Sequence, residues 1–350
     1  MEKTNDYAVF KNLTNPAILL GNGLNLYAQG KRNQCCGNSY LNWIQILALL
    51  AAPSAENAEE RIGRLIKEGE ISLPEIYTAI QFTNYNVMDY EESLIRAIQS
   101  LHDYSNKEIL LESLSRFRDL KQTDEKYKKR IARLMSDWHP ILGVHNKFTD
   151  FVAAYQNNGV PILTTNYDNL LEQSQKIQNV WSMLEKNPRK YLFGEYYAPR
   201  EMSFGEIANS FAIWHIHGDI RKPSSIKIST SDYAKLMQEL YRHRRDGTHE
   251  NNWMRLFYEN DLIILGLKLS ISEYPLRWLL TDRMEYVKSQ SRKIKTIYYD
   301  IKKDKSNVSE GKRYFLESIG IEIYNEYKTY DELYSVFGVV AEPTEQPKRA

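Results

Sequence analysis

Ala17-Ile-Leu-Leu-Gly-Asn-Gly-Leu-Asn25 joins a short apolar run to a turn that contains two glycines. The run has the length and composition of a buried strand. Gly21 and Gly23 carry no Cβ atom, so backbone N–H groups in this turn can approach a pyrophosphate. The dinucleotide fingerprint needs a third glycine, and Leu26 stands in that place. A plain tight turn therefore remains the alternative to a phosphate site.

Five more apolar runs recur along the chain, and most of them end at Gly, Asn or Asp. Several are nearly continuous rather than alternating, which favours a parallel sheet covered by helices on both faces. Helical patterns between the runs predict an α/β, Rossmann-like fold. The runs are residues 160–164, 211–216, 262–265, 294–299 and 319–323.

Residues 54–155 differ from this pattern because they are charged, helix-prone and lack a convincing strand. We expect a helical insertion here, a small subdomain or cap between the first and second strands. The Rossmann-like domain then comprises residues 1–53 and 156–335. The tail, residues 341–350, is polar and contains proline, which predicts disorder.

The composition excludes several classes of protein. Cys35 and Cys36 are the only cysteines in 350 residues, and adjacent thiols cannot form a four-cysteine zinc site or a disulfide scaffold. The formal net charge of +1 creates no overall attraction for nucleic acid or acidic lipid. No signal-peptide pattern is visible, and the longest apolar stretch has about ten residues where a membrane span needs about 20. We expect a cytoplasmic protein.

A polar cluster, Thr164-Thr-Asn-Tyr-Asp168, follows the second predicted strand. Ligands of open parallel sheets bind outside the carboxyl ends of the strands, so we expect Asn166 and Asp168 to point into a crevice. Thr165 and Asp168 also have the spacing of a helix capping box. Capping explains one or two of the five residues, but not the whole cluster.

A second cluster, Trp214-His-Ile-His-Gly-Asp219, follows a later predicted strand. His215 and His217 share one face of that strand. Histidine is well suited to general acid–base catalysis near neutral pH. The His-x-His-x-Asp spacing also occurs in metal hydrolases. A catalytic base, a metal site and a structural pair of histidines therefore all remain open.

Taken in order, these motifs resemble those of the sirtuin family. That family has a Gly-x-Gly turn after its first strand, then Thr-x-Asn-x-Asp, then His-Gly, and then a glycine turn after a later strand. Ser229-Thr-Ser-Asp-Tyr233 and Arg277-Trp-Leu-Leu280 also resemble segments of bacterial sirtuin-like proteins. The matching motifs of this chain are Gly21-Asn-Gly23, Thr164-Thr-Asn166-Tyr-Asp168, His217-Gly218 and Leu265-Gly266.

The chain also departs from the family pattern. Deacetylase sirtuins carry a zinc module made of two cysteine pairs, and no cysteine follows Cys36 here. Asn22 replaces the usual alanine of the first motif, and Asn25 replaces its serine. With these departures, the chain resembles the bacterial sirtuin-like domains that hydrolyse NAD⁺ in antiphage defence. The resemblance implies NAD⁺ as the substrate and no metal.

The same resemblance assigns roles to individual residues. Asn166 would hold the nicotinamide ribose and the attacking water, Asp168 would position the nicotinamide or brace its loop, and His217 would act as general base. Gly266 and Glu273 would meet the adenosine end. A solvated helix start remains the alternative for Glu273, as it does for Arg277 and Arg283. The residues that the resemblance assigns to NAD⁺ binding are Gly21, Asn22, Gly23, Asn25, Thr165, Gly266 and Glu273.

Two other functions stay open. The chain could be a metal-dependent hydrolase that uses His215, His217 and Asp219, or a non-catalytic module that senses NAD⁺ or another nucleotide. Unchecked NAD⁺ hydrolysis would kill the host, so we expect control through a homo-oligomer, a defence-system partner, or both. The basic residues 126–130 and 242–245 fit solvated helix faces better than a nucleic-acid site. We expect no direct contact with a membrane or nucleic acid.

Overall fold

A computed structural model of the chain describes residues 8–31, 43–50, 72–83, 124–141, 143–175, 178–179, 195–198, 206, 210–247, 252–270, 273–290, 293–301 and 309–339. Cys35, Cys36 and the tail predicted at 341–350 lie outside these residues. Residues 54–71 and 84–123 of the expected helical insertion lie outside them as well.

The described strands form one sheet. They are β1 (Pro16–Leu20), β2 (Ile162–Thr164), β3 (Gln178–Asn179), β4 (Glu195–Ala198), β5 (Ile213–His215), β6 (Asp261–Leu265), β7 (Thr296–Ile301) and β8 (Glu322–Tyr327). Their order is β3-β4-β5-β2-β1-β6-β7-β8. All pairs from β5 to β8 are parallel, and β3 and β4 form an antiparallel edge. Each apolar run predicted as a strand overlaps one, and only β3 and β4 were not predicted.

The described α-helices lie between these strands along the chain, except α11, which follows β8. Within the same ranges, no helix is long and apolar enough to cross a membrane. The helices are α1 (Gly23–Lys31), α2 (Trp43–Leu50), α3 (Leu73–Thr83), α4 (Asp124–Ser136), α5 (His145–Ala154), α6 (Leu170–Gln175), α7 (Thr230–Arg245), α8 (Trp253–Glu259), α9 (Tyr274–Ser289), α10 (Glu310–Ser318) and α11 (Tyr330–Ser335).

Both faces of the sheet are covered, as the continuous apolar runs predict. Every residue of β1 and β6 is buried. Successive side chains of a strand point to opposite faces. Ala17 and Leu19 accordingly pack in one apolar cluster with residues of α7, α8 and α9. Ile18 and Leu20 pack in another with residues of α1, α5 and α11. The Rossmann-like α/β fold is confirmed.

The described part of residues 54–155 is helical, and no described strand lies between β1 and β2 along the chain. Helices α2, α3 and α4 share a third apolar cluster with residues that follow β2 and β5. Lys128 is buried, and its ammonium lies 2.8 Å from a carboxylate oxygen of Asp232 on α7. Arg130 donates to the carbonyl of Leu49. These two cations of the basic cluster therefore join helices to each other, and they are neither solvated nor free for nucleic acid.

Candidate functional site

One cavity of about 560 Å³ follows the carboxyl ends of the parallel strands. The chain leaves β1 toward β2 and β5 on one side, and reaches β6 and β7 on the other. Such a reversal of strand order opens a crevice where ligands of doubly wound sheets bind. The cavity is lined by residues that follow four neighbouring strands and by the end of a fifth. Along the sheet edge, these strands are β5, β2, β1, β6 and β7. At the usual spacing of strands the cavity spans roughly 19 Å, enough for an extended dinucleotide.

The cavity brings together most of the residues that the sequence predicted. Gly21, Asn25 and Asp168 do not line it, although all three lie directly behind its wall. The predicted residues that line it are Asn22, Gly23, Thr165, Asn166, His217, Gly266 and Glu273.

The glycine turn packs against the loop that follows β6. The Gly23 N–H donates to the carbonyl of Gly266 at 2.8 Å, and the Gly21 N–H donates to that of Leu265 at 2.9 Å. A Cβ atom on Gly23 would lie 2.5 Å from the Gly266 Cα, and one on Gly21 would lie 2.5 Å from the Gly266 oxygen. This close approach of two loops requires both glycines even without a ligand, because no side chain fits between them.

A Gly23→Ala substitution is expected to lower the free energy of unfolding by about 1–3 kcal/mol, because its methyl group must push the two loops apart. Gly30 lies on the same helix and provides the matched control, since a Cβ atom there meets no heavy atom within 4 Å. Gly30→Ala is expected to stabilise the protein by up to about 1 kcal/mol through helix propensity. Urea unfolding measures both. Equal effects of the two substitutions would show that the loops do not depend on Gly23.

Asn166 lies near the middle of the cavity wall. Its backbone N–H donates to the Thr164 hydroxyl at 3.1 Å, and its side-chain amide lies 3.5 Å from the Gly21 carbonyl. Its own carbonyl accepts a hydrogen bond from Nδ1 of His215 at 2.8 Å. The loop after β2 is thus fixed to both neighbouring strands, which leaves the Asn166 side chain at the cavity.

His215 is a buried cation rather than a ligand of the cavity. Nε2 lies 2.5 Å from Glu172 Oε1 and 3.9 Å from Asp219 Oδ2. Since Asn166 accepts from Nδ1, both ring nitrogens face acceptors and both donate. Burial alone would lower the pKa of His215, but the charges of Glu172 and Asp219 outweigh it and raise the pKa to about 9.

His217 has the opposite character. It lines the cavity, and its Nε2 is buried without a hydrogen-bond partner among the described residues. Burial, and to a lesser degree the charge of Lys227, lowers its pKa to about 4, so the ring is neutral at physiological pH. Its ring lies against that of Tyr233. Gly218 follows with a φ of +97° and lies where a Cβ atom would collide with Ser225, which only glycine tolerates.

Glu273 comes directly before α9, and its side chain reaches the cavity wall. Its Oε2 is enclosed and has no hydrogen-bond partner in the described ranges. Burial raises its pKa to about 7. After burial itself, the charge of Glu273 is the next largest cause of the raised pKa values of Tyr167 and Tyr233. The ring of the next residue, Tyr274, lies 5.6 Å from that of Tyr233, which in turn lies against His217, so Glu273 lies near the His217 end of the cavity.

Asn25 and Asp168 form a buried chain behind the cavity. The Asn25 amide donates to Asp168 Oδ2 at 2.8 Å, and its oxygen lies 3.1 Å from Nε2 of His145. Asp168 Oδ1 also accepts from the N–H of Leu170, at the start of α6. Burial is the main cause that raises the pKa of Asp168 to about 6. Asp168 thus caps the first residue of α6, but not through the capping box considered with Thr165, whose own N–H donates to the carbonyl of Leu20. Asn25 is already engaged with protein atoms.

Sequence reasoning missed the far end of the cavity. Tyr334 on α11 lines it with a buried hydroxyl that has no hydrogen-bond partner among the described residues. Lys312 lines it as well, and its ammonium donates to the Tyr298 hydroxyl at 2.6 Å. Asp300 stands at the end of β7, where a polar residue after an apolar run gave a usable signal. No local pattern marks Tyr334 or Lys312, since both belong to amphipathic helices late in the chain.

Two interpretations from the sequence are not supported. His215, His217 and Asp219 do not converge, because both nitrogens of His215 are engaged by protein atoms, and no group of described side chains could hold a metal. The sequence leaves a ligand contact and a solvated helix start open for Arg283 as well. It is fully buried instead, and its guanidinium donates to the carbonyls of Phe257, Asn260 and Lys295.

The structure defines an α/β protein with a cavity at the switch point of a doubly wound sheet. Residues 160–324 match the SIR2-like domain family. The match extends from β2 into β8 and includes the Asn166 loop, the His-Gly segment and Glu273. It supports a sirtuin-like domain, a type of domain that binds NAD⁺. The glycine turn after β1 lies outside the matched residues. A search of the curated proteins finds no match to the chain.

Proposed function

We propose that this protein is an NAD⁺ glycohydrolase that splits NAD⁺ into nicotinamide and ADP-ribose. One observation carries the proposal: the cavity at the switch point is lined by three buried polar atoms that have no partner in the described part of the chain. They are Nε2 of His217, Oε2 of Glu273 and the hydroxyl of Tyr334. Buried polar atoms are rarely left unpaired, so such a concentration indicates a polar ligand.

The size and lining of the cavity fit NAD⁺. A volume of about 560 Å³ lies within the range of ligand and cofactor sites. Asn22 and Gly23 lie where α1 begins, and the positive end of its helix dipole favours the pyrophosphate there. The nicotinamide ribose would lie between Asn166 and His217. The adenosine would extend past Gly266 toward Tyr334, where aromatic rings offer stacking surfaces.

The residues of this chain suit hydrolysis of the bond between ribose and nicotinamide. Nicotinamide leaves without protonation because its ring nitrogen is cationic in NAD⁺. Positive charge then spreads over the ribose, as in glycoside hydrolysis. The Asn166 amide would hold the ribose and a water molecule in line. The neutral ring of His217 would accept a hydrogen bond from a ribose hydroxyl.

We further propose that the activity serves antiphage defence and is held in check until infection. The support is chemical: constant removal of NAD⁺ would kill the cell that makes the enzyme. A homo-oligomer or a partner protein of the same defence system would supply the control. The absence of the paired cysteines that deacetylase sirtuins use points away from protein deacylation.

The direct test is to incubate the purified chain with NAD⁺, alone and together with the products of its neighbouring genes. Equal amounts of nicotinamide and ADP-ribose are expected, and an acetylated peptide should not change the rate. Chromatography of the reaction mixture measures all of these products. Binding of NAD⁺ without nicotinamide release would instead support a sensor, and loss of activity on chelation would support a metal hydrolase.

A further inference from the structure

Glu273 lies at a different end of the cavity from the one the sequence resemblance implies. The resemblance pairs it with Gly266 and the adenosine. Its charge instead acts on the phenols of Tyr167, which follows β2, and Tyr233, on α7 after β5. The His217 ring lies 5.7 Å from that of Tyr233. Glu273 therefore places a carboxyl group at the end of the cavity that His217 lines, where the reaction is proposed to occur.

Two buried polar atoms at this end, Nε2 of His217 and Oε2 of Glu273, have no hydrogen-bond partner among the described residues. Enclosing an unpaired carboxyl group costs stability, so a group of this kind is expected to have a function. The charge of Glu273 acts on the phenols of Tyr167 and Tyr233, whose pKa values lie well above 10, so they stay neutral over the working range. Asp232 also acts on these phenols. Burial alone would raise the pKa of Asp232, but its hydrogen bond and ion pair with Lys128 outweigh burial and lower the pKa, so it stays ionised. Glu273 is thus the acidic group at this end that can gain and lose a proton near neutral pH.

We infer that Glu273, rather than His217, is the general base that activates water for cleavage of NAD⁺. The inference rests on the proposed function and assigns the proton transfer within that site. His217 would then act as a neutral hydrogen-bond acceptor for the ribose.

The acid–base properties of the two residues support this division of roles. A general base works best when its pKa lies near the working pH. Burial raises the pKa of Glu273 to about 7, whereas burial lowers that of His217 to about 4. A group with a pKa of about 4 takes a proton from water poorly. Two titratable groups whose environments move their pKa values apart commonly divide the roles of a catalytic site.

The step balances with water as the only co-reactant. The water oxygen forms a bond to C1′ of the ribose while the bond from C1′ to the nicotinamide nitrogen breaks. The electron pair of the broken bond stays on nicotinamide, which leaves as a neutral molecule. Glu273 takes the proton of the attacking water and later releases it to solvent. The products are ADP-ribose, nicotinamide and one proton.

The test compares wild-type protein with Glu273→Gln and with Glu259→Gln, which removes a partly exposed carboxylate on α8. Nicotinamide release is measured between pH 5 and 9, and NAD⁺ affinity by calorimetry. In the wild type, kcat/KM should rise with pH through about 7, where Glu273 loses its proton. Glu273→Gln should lower kcat at least about 100-fold, abolish this rise and leave NAD⁺ affinity nearly unchanged. Glu259→Gln should behave as the wild type.

Thermal unfolding separates this role from a structural one. Glu273→Gln should unfold at a temperature no lower than the wild type, because an amide replaces a buried carboxyl group that lacks a partner. If wild type cleaves NAD⁺ and Glu273→Gln cleaves it at the same rate, the inference is wrong while the proposed function stands. If Glu273→Gln loses affinity for NAD⁺ but keeps the wild-type pH profile, Glu273 binds the substrate and is not the general base. If wild type releases no nicotinamide, both ideas fail together.

Discussion

NAD⁺ cleavage is expected to fall below detection in Asn166→Ala, while the protein remains folded. The side-chain amide of Asn166 lies at the cavity, between the glycine turn and His217. Positioning of reactants can supply about 7–11 kcal/mol of the barrier lowering in a catalysed reaction. Alanine leaves the ribose and the water without the group that would align them. The backbone contacts of residue 166 with Thr164 and His215 do not involve the lost side chain.

Asn169→Ala is the matched control for this experiment. Its side chain accepts from the Gln173 amide at 2.6 Å and does not line the cavity. It should retain wild-type nicotinamide release, measured by chromatography, whereas Asn166→Ala should release none. Circular dichroism and thermal unfolding establish that both variants fold. If Asn166→Ala cleaves NAD⁺ at the wild-type rate, the Asn166 amide has no role in the reaction. The proposal that this cavity is the active site would then lose its main catalytic residue.

The sheet could be predicted from the sequence because its central strands are buried on both faces. Burial of that kind gives continuous apolar runs, and β1 and β6 show them over their whole length. Polar residues after such runs must lie at one edge of a parallel sheet. The sequence alone therefore places Asn166 and His217 at that edge. The edge strands β3 and β4 have no such run, and they were missed.

The rest depends on how the chain folds back on itself, which no local pattern contains. Glu273 and Arg283 both look like residues of a solvated helix start. The structure encloses the carboxyl group of the first at the cavity and buries the second under three backbone carbonyls. Gly21 and Gly23 follow the phosphate-binding pattern, yet they are also required by contact with Gly266. Spacing along the sequence cannot separate these two reasons for a glycine.

The two histidines of the His-x-His motif have different roles, which their spacing in the sequence does not reveal. Alternation along a strand would place both histidines on one face, but the chain leaves β5 at His215 and turns at Gly218. His217 consequently lines the cavity, whereas His215 stays between the carboxylates of Glu172 and Asp219. These carboxyl groups are almost fully buried, at 3% and 0% exposure. The imidazolium is the cation that lies between them, and it also holds the carbonyl of Asn166.

His215→Leu is expected to destabilise the protein by about 3–5 kcal/mol, the usual cost of removing one partner from a buried ion pair. Leucine removes the cation beside the buried carboxylate of Glu172, leaves Asp219 with the Arg221 guanidinium at 3.7 Å, and frees the loop that carries Asn166. Urea unfolding at pH 6.5 measures this loss. His139→Leu, which changes an exposed histidine, should unfold at the wild-type urea concentration.

The pH dependence of the same difference identifies the charge of His215 as the cause. Its folded-state pKa of about 9 lies above the ordinary 6.5, so the folded protein holds a proton that the unfolded chain releases. The stabilisation is therefore complete below about pH 6.5 and is lost as the pH rises through about 9, by up to about 1.4 kcal/mol per pH unit. Subtracting His215→Leu from wild type at each pH removes the contribution of Glu273, whose raised pKa is caused by burial and not by His215. A difference that stays constant from pH 6.5 to 9 would mean that His215 packs as a neutral ring.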